Sequence, residues 1–171
     1  MVDAANRLKN VVVTATFIVL GPPGWIGVYF PRLITRWQFA EQGWGWRIVG
    51  VGMIAVGLLP LGESFTRFVR VGRGTLAPMV PTERLVVSGF YRYVRNPMYL
   101  GVLTLIAGQG VLFRSSPLWE YWGVVALGFH LFVIGYEEPT LRGKYGESYE
   151  EFCRNVPRWM PRVRPWVATG V

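Results

Sequence analysis

Long uncharged runs, separated by short stretches that carry nearly all of the charge, set the pattern of this chain. They cover Asn10 to Phe30, Ile48 to Gly62, Met98 to Phe113 and Tyr121 to Tyr136. A helix rises about 1.5 Å per residue and the hydrocarbon layer of a bilayer is about 30 Å thick, so the first run is long enough to cross it. Gly21-Pro22-Pro23-Gly24 lies inside that run and predicts a kink or break. The second run is shorter and starts near Trp44, with Trp44 and Trp46 at the membrane interface. Arg114-Ser115-Ser116-Pro117 reads as a tight turn, which makes the third and fourth runs a helical hairpin.

Taken singly, runs two to four also fit buried core helices. Together, four such runs in 171 residues leave too little polar chain to cover them. The expected fold is all-α, an integral membrane helical bundle of about four transmembrane helices. Residues 1–69 hold the first two spans, near 10–30 and 44–62. Residues 70–171 hold the last two, near 97–113 and 118–137, with the loop before them and a polar C-terminal segment.

Composition narrows the classes further. With 51% hydrophobic and 16% charged residues the chain is no disordered tail, and 21 Gly, 12 Pro and 8 Trp argue against a simple coiled coil. The net charge of +8 sits between apolar runs rather than on a continuous basic surface, so no nucleic-acid partner is expected. With four spans, the N-terminus, segment 63–97 and the C-terminal tail share one side. That side carries 14 of the 18 Lys and Arg; Arg32, Arg36, Arg47 and Arg114 are left for the other. The positive-inside rule then puts both termini in the cytoplasm, where a basic face attracts anionic headgroups and phosphate-bearing solutes. No cleavable signal peptide is expected, because the first apolar run is too long and no A-x-A-like site follows it. Cys153 has no second cysteine to pair with, and one Cys with one His cannot build a zinc or iron–sulfur site, so no metal is expected. A Ser/His/Asp hydrolase would have to use His130, deep in an apolar run.

Several residues then carry candidate chemistry. Gly50-Val51-Gly52-Met53-Ile54-Ala55 fits a dinucleotide fingerprint, but it lies within an apolar span and no acid follows at the required distance. Small residues there read as close helix packing. His130 lies seven residues before Glu137, which puts both on one helix face. It is either a functional group inside the membrane or a neutral histidine bonded between helices. Glu137-Glu138 stands at the expected C-terminal end of span four, where the helix dipole disfavours acids. The pair either marks the membrane boundary in water or is held for a cationic ligand. The segment from Gly72 to Gly89 reads as loop and extended chain. Phe90, Tyr91, Tyr93 and Tyr99 then interleave with Arg92 and Arg95, and Asn96-Pro97 opens span three, with Asn96 as a cap. Such a helix start can hold a carboxylate and stack a planar base, or it is an aromatic belt with snorkelling arginines. It shares a level with the Glu pair on the paired helix, so the two converge.

Leu85-Val86-Val87-Ser88-Gly89-Phe90-Tyr91-Arg92-Tyr93-Val94-Arg95-Asn96-Pro97-Met98-Tyr99-Leu100-Gly101 resembles the signature of the isoprenylcysteine carboxyl methyltransferase and phospholipid methyltransferase superfamily. Glu137-Glu138-Pro139-Thr140-Leu141, Tyr145-Gly146, Tyr149, Val156-Pro157-Arg158 and Pro161 agree, so the resemblance spans roughly residues 70–162. It implies S-adenosylmethionine in a cytosolic pocket formed by segment 63–97, the last two spans and the C-terminal tail. A membrane lipid or lipid-linked acceptor would reach it from the bilayer. Matched residue by residue, it implies cofactor contacts at Glu83, Leu85, Val86, Tyr91, Asn96, Pro97, Met98, Tyr99 and Glu137, with Glu138 beside them. Acceptor contacts are expected at His130, Val133 and Arg95; no residue stands out as a general base.

Two departures from the family pattern bear on the acceptor. Asn96 stands where many members have His, and Glu83 where the isoprenylcysteine enzymes have His. Val133 stands where those enzymes carry an acceptor-binding Arg, four residues before the Glu pair, so a carboxylate acceptor loses its partner. Val133→Arg is therefore expected to improve carboxylate recognition. An amine, thiol or other lipid-borne nucleophile is at least as well matched. The alternatives are an NADPH-dependent membrane reductase related to sterol reductases and a non-catalytic membrane scaffold.

Overall fold

The computed structural model describes residues 21–39, 43–71, 85 and 87–167, with the backbone alone over 64–71. Among these residues the chain is helical, with no strand. α1 comprises Pro22–Gly24, a π-helical turn at Trp25–Tyr29 and Phe30–Thr35; α2 is Trp44–Val71. A 3-10 turn at Gly89–Arg92 precedes α3, Pro97–Phe113. α4, Ser116–Phe132, runs through a second π-helical turn, Val133–Glu137, into α5, Glu138–Tyr145; α6 is Glu147–Asn155.

α3 is the centre of the bundle. Apolar on every side, it buries Val102, Leu103, Leu105, Ile106 and Phe113. Val102, Ile106, Phe113 and Leu118 pack together, flanked by Ile26 of α1, Leu61 of α2 and Tyr121, Trp122 and Phe129 of α4. Against α2 the contact is backbone to backbone. A Cβ on Gly50 would lie 2.9 Å from the Gly108 carbonyl oxygen, and one on Gly57 would lie 2.7 Å from that of Gly101. Gly101 and Gly108 meet Gly57 and Gly50 reciprocally, so the helices are antiparallel with a seam repeating at seven-residue spacing. Within the Gly50–Ala55 stretch Gly50 makes this close helix contact, as expected of small residues there, while Gly52 faces open space.

Trp44–Glu63 and Ser116–Tyr145 are long and apolar enough to cross a membrane, and only 11% and 17% of their apolar windows are buried inside the protein. The core helix of a soluble domain would be mostly covered. Leu59, Val124, Leu127 and Leu131 are instead exposed, as on a surface solvated by lipid. α3, also apolar, is shorter, and residues 10–20 of the first expected span lie outside the described residues.

The hairpin turn forms as expected: Arg114 closes α3 in the left-handed conformation, and Pro117 sits in the first turn of α4. Two boundaries differ from expectation. α2 does not stop at Gly62 but continues to Val71, so the first part of the expected loop is helical. At Gly21–Gly24, where a kink or break is expected, Gly21 is extended and Pro22 and Pro23 open α1, where their missing N–H groups cost nothing. A further irregularity falls at Trp25–Tyr29 because of Pro31. Phe30 N–H bonds to the Trp25 carbonyl, five residues back, and Pro31 has no N–H to offer. The Ile26 and Gly27 carbonyls that remain are taken by side chains: the Tyr121 hydroxyl donates to Ile26 (2.9 Å) and Gln109 Nε2 to Gly27 (2.7 Å). Finally, Glu137-Glu138 does not end a helix. Glu138 N–H bonds to the Val133 carbonyl and the helix continues past Pro139, so the argument from a C-terminal dipole does not apply.

Candidate functional site

The start of α3 is held by the chain that follows α6. Arg95 N–H donates to the Pro157 carbonyl, Arg162 N–H to that of Tyr93 and Trp166 N–H to that of Arg92, each at 2.9 Å. Arg92 Nε returns a bond to the Trp166 carbonyl at 2.8 Å. This strap is fixed from below by a small core of Tyr149, Phe152 and Val156, packed with Leu85, Val87, Leu141 and Trp166. Asn96 precedes α3 as expected, but its side chain does not cap the helix. It is buried, and its Nδ2 donates to the Arg158 carbonyl at 3.2 Å, tying helix start to strap.

The two adjacent glutamates part company here. Glu138 is 3% exposed. Arg158 grips it with Nε on Oε1 (2.6 Å) and Nη2 on Oε2 (2.9 Å), and Arg95 Nη1 adds a third bond to Oε1 (3.0 Å). Two guanidiniums on one carboxylate satisfy its buried oxygens, which a lone cation rarely does. Arg95 Nη1 also donates to Cys153 Sγ at 2.9 Å. Nearby, burial and then Cys153 push the Tyr149 phenol above its ordinary range, so it stays protonated within this ionic cluster.

Glu137 has no guanidinium partner among the described residues. Its Oε2 accepts the Tyr99 hydroxyl at 2.7 Å, and its other oxygen has no partner among the described residues. The Tyr99 ring packs on Phe129 of α4 (centroids 4.7 Å) and meets Trp159 of the strap edge-on at 6.4 Å. Trp159 Nε1 in turn donates to His130 Nδ1 at 3.1 Å. A ring nitrogen that accepts carries no proton, so a neutral His130 holds its proton on Nε2. Glu137, Tyr99, Trp159 and His130 thus form one connected set drawn from α3, α4, the π turn and the strap.

Of the residues expected from sequence, Asn96, Pro97, Met98, Tyr99, Glu137 and His130 gather at this end of the bundle. Tyr91 lies in the adjoining 3-10 turn and Leu85 in the small core; Glu83 and Val86 lie outside the described residues. Two expected acceptor residues are placed differently. Arg95 is turned inward onto Glu138 and Cys153, and Val133 is 1% exposed, packed inside the protein. An arginine at 133 would bury an uncompensated charge, so the expected gain in carboxylate recognition is withdrawn. Trp159 and Cys153 were missed; neither carries a local sequence signal for partners 29 and 58 positions away. Among the described residues no group of His, Cys, Asp and Glu is arranged to hold a metal ion.

Fold and site together define a helical membrane protein with a polar cluster at one end of an apolar bundle. The chain belongs to the phospholipid methyltransferase family, whose sequence pattern matches residues 46–148. It is 29% identical over 136 residues to protein-S-isoprenylcysteine O-methyltransferase B of Arabidopsis thaliana, covering 80% of this chain and 66% of that protein. It is 26% identical over 137 residues to the protein-S-isoprenylcysteine O-methyltransferase of Schizosaccharomyces pombe, covering 78% of this chain and 56% of that protein. With Delta(14)-sterol reductase TM7SF2 of Mus musculus it shares 32% identity over 93 residues, which is 53% of this chain and 21% of that protein. The chain thus spans about two thirds or less of the length of these curated relatives. No solved structure shows a significant match to it.

Proposed function

We propose that the chain is an S-adenosylmethionine-dependent membrane methyltransferase that moves a methyl group to a lipid or lipid-like amphiphilic acceptor. The observation that carries this reading is the state of Glu137, a half-buried carboxylate whose second oxygen has no partner among the described residues, beside an aromatic wall, while its neighbour is neutralised by two arginines. Family membership supplies the chemistry to which such a carboxylate is suited.

The residues fit the cofactor's charges. Glu137 can meet its cationic groups, Tyr91 and Tyr99 can flank its planar base, and the first-turn N–H groups of α3 suit its carboxylate. Glu83, Leu85 and Val86 would complete the pocket from the preceding segment. When bound, the cofactor supplies an electrophilic methyl group on a positively charged sulfur. The protein's own contribution is positional: Tyr99 fixes Glu137, Trp159 fixes Tyr99 and His130, and the strap closes the pocket to water. His130, whose Nε2 has no partner among the described residues, would face the acceptor; Arg95 and Glu138 support the site from behind. In this reading the chain is multi-pass, residues 70–171 carry the catalytic unit and both termini are cytoplasmic.

Calorimetry of the purified protein with S-adenosylmethionine, its demethylated product and NADPH tests the reading. Binding of the first two is expected, followed by methyl incorporation into an added lipid extract. Binding of NADPH alone would move the protein to the reductases, and a folded protein that binds none of the three would overturn the proposal.

A further inference from the structure

The strap after α6 alternates between residues that are held and residues that nothing covers. Trp159 donates to His130 Nδ1 at 3.1 Å. Arg162 donates from its N–H to the Tyr93 carbonyl and from Nη1 to that of Asn155 at 2.6 Å. Trp166 packs on Phe152 with ring centroids 6.0 Å apart. The residue after each of these turns outward: Met160 is 78% exposed, Val163 96% and Val167 64%. Main-chain bonds to Arg92, Tyr93 and Arg95 pin the strap, so the three apolar side chains stand on a fixed backbone. Single exposed apolar residues are ordinary, but three on one pinned segment ask for a cover.

Depth and charge name that cover. His130 lies about 21 Å along α4 from Ser116, inside a hydrocarbon layer about 30 Å thick, and Trp159 reaches it there. The strap therefore crosses the end of the bundle at the boundary of the bilayer, not beyond it. Its charge has one sign. No acid follows Glu151, and Arg154 and Arg164 are exposed with no ion pair among the described residues. Apolar side chains level with acyl chains, flanked by unpaired guanidiniums, match a leaflet that contains anionic lipid. We propose that Met160, Val163 and Val167 insert into the leaflet at this end of the bundle, with Arg154 and Arg164 on the phosphates of anionic headgroups. The strap is then a membrane-surface anchor in its own right, separate from the spanning helices. This contact rests on placement in the bilayer and on no assumption about cofactor or acceptor.

The test uses the full chain in phosphocholine nanodiscs, with a fluorophore on Val163→Cys or, in a second protein, on Met160→Cys. Both positions are exposed, so packing is spared, and the unsubstituted chain measures the background from Cys153. A nitroxide carried on the lipid acyl chain should quench both labels, and aqueous iodide should quench neither. Headgroup preference is read by supplying the same nitroxide chain, at equal mole fraction, on a phosphoglycerol or on a phosphocholine lipid. The phosphoglycerol lipid should be enriched around the label by about fivefold for each arginine engaged. Arg154→Gln combined with Arg164→Gln should bring the two lipids level. Labels reached by iodide and not by nitroxide would overturn the proposal and leave the three side chains to a protein partner. Equal quenching by the two lipids in the chain with both arginines, or a preference that survives their removal, would overturn it as well.

Discussion

Glu137 and Glu138 are neighbours in sequence with opposite surroundings. Glu138 is closed in by Arg95 and Arg158, and through them it joins the start of α3 to the strap. Glu137 faces the other way, held by one neutral hydroxyl from Tyr99. The difference teaches that adjacent acids need not share a task. One carboxylate fixes the end of the bundle, and its neutralisation leaves Glu137 as the member of the pair that the proposed function assigns to a ligand.

Substitutions can separate the two roles. The largest effect is expected on the Glu138 side: Arg158→Met leaves a buried carboxylate short of its bidentate partner and should cost about 3–5 kcal/mol of stability, read as a lowered midpoint of thermal unfolding in detergent. A small shift would mean that Arg95 alone suffices. Val133→Arg should likewise destabilise, and a folded variant with improved turnover of a prenylcysteine carboxylate would restore the expectation withdrawn above. On the Glu137 side, Glu137→Gln should leave unfolding nearly unchanged but weaken S-adenosylmethionine binding by about 1.5–3 kcal/mol, roughly 10- to 150-fold by calorimetry. Equal affinity in both proteins would return Glu137 to the solvated boundary. Tyr99→Phe is milder, removing one hydrogen bond worth about 0.5–1.5 kcal/mol, and it should lower cofactor affinity more than stability. The reverse order would make Tyr99 a packing residue first.

Much of this arrangement is legible in the sequence, and the exceptions share a cause. Apolar runs locate α2, α3 and α4, and Arg114-Ser115-Ser116-Pro117 marks their hairpin turn, because length and turn chemistry are local. The start of α3 in the motif from Leu85 to Gly101 and the Glu pair lie at one end of the bundle, as their expected convergence requires. The local structure around them differs from the expectation. From the sequence, Glu137-Glu138 stands at a helix C-terminus, since the apolar run of span four ends at Tyr136. A π turn, widened by one residue, carries the chain past it instead. The sequence offers Arg95 as an acceptor ligand because nothing near it shows that Glu138, 43 positions away, takes its guanidinium. Asn96 looked like a cap for the same reason: its partner is the Arg158 carbonyl, contributed by the strap.

The glycine seam between α2 and α3 has a consequence for traffic. Where Gly50 meets Gly108 and Gly57 meets Gly101, the main chains touch, and an acyl chain finds no passage. Side chains alone divide α3 from α4, among them Tyr99 against Phe129 and Trp122, whose Nε1 donates to the Leu103 carbonyl. Rotamers can change where backbones cannot slide. The bundle therefore has one wall of touching backbones and one of side chains, and under the proposed function an acceptor coming sideways out of the bilayer towards Glu137 would pass on the α4 side.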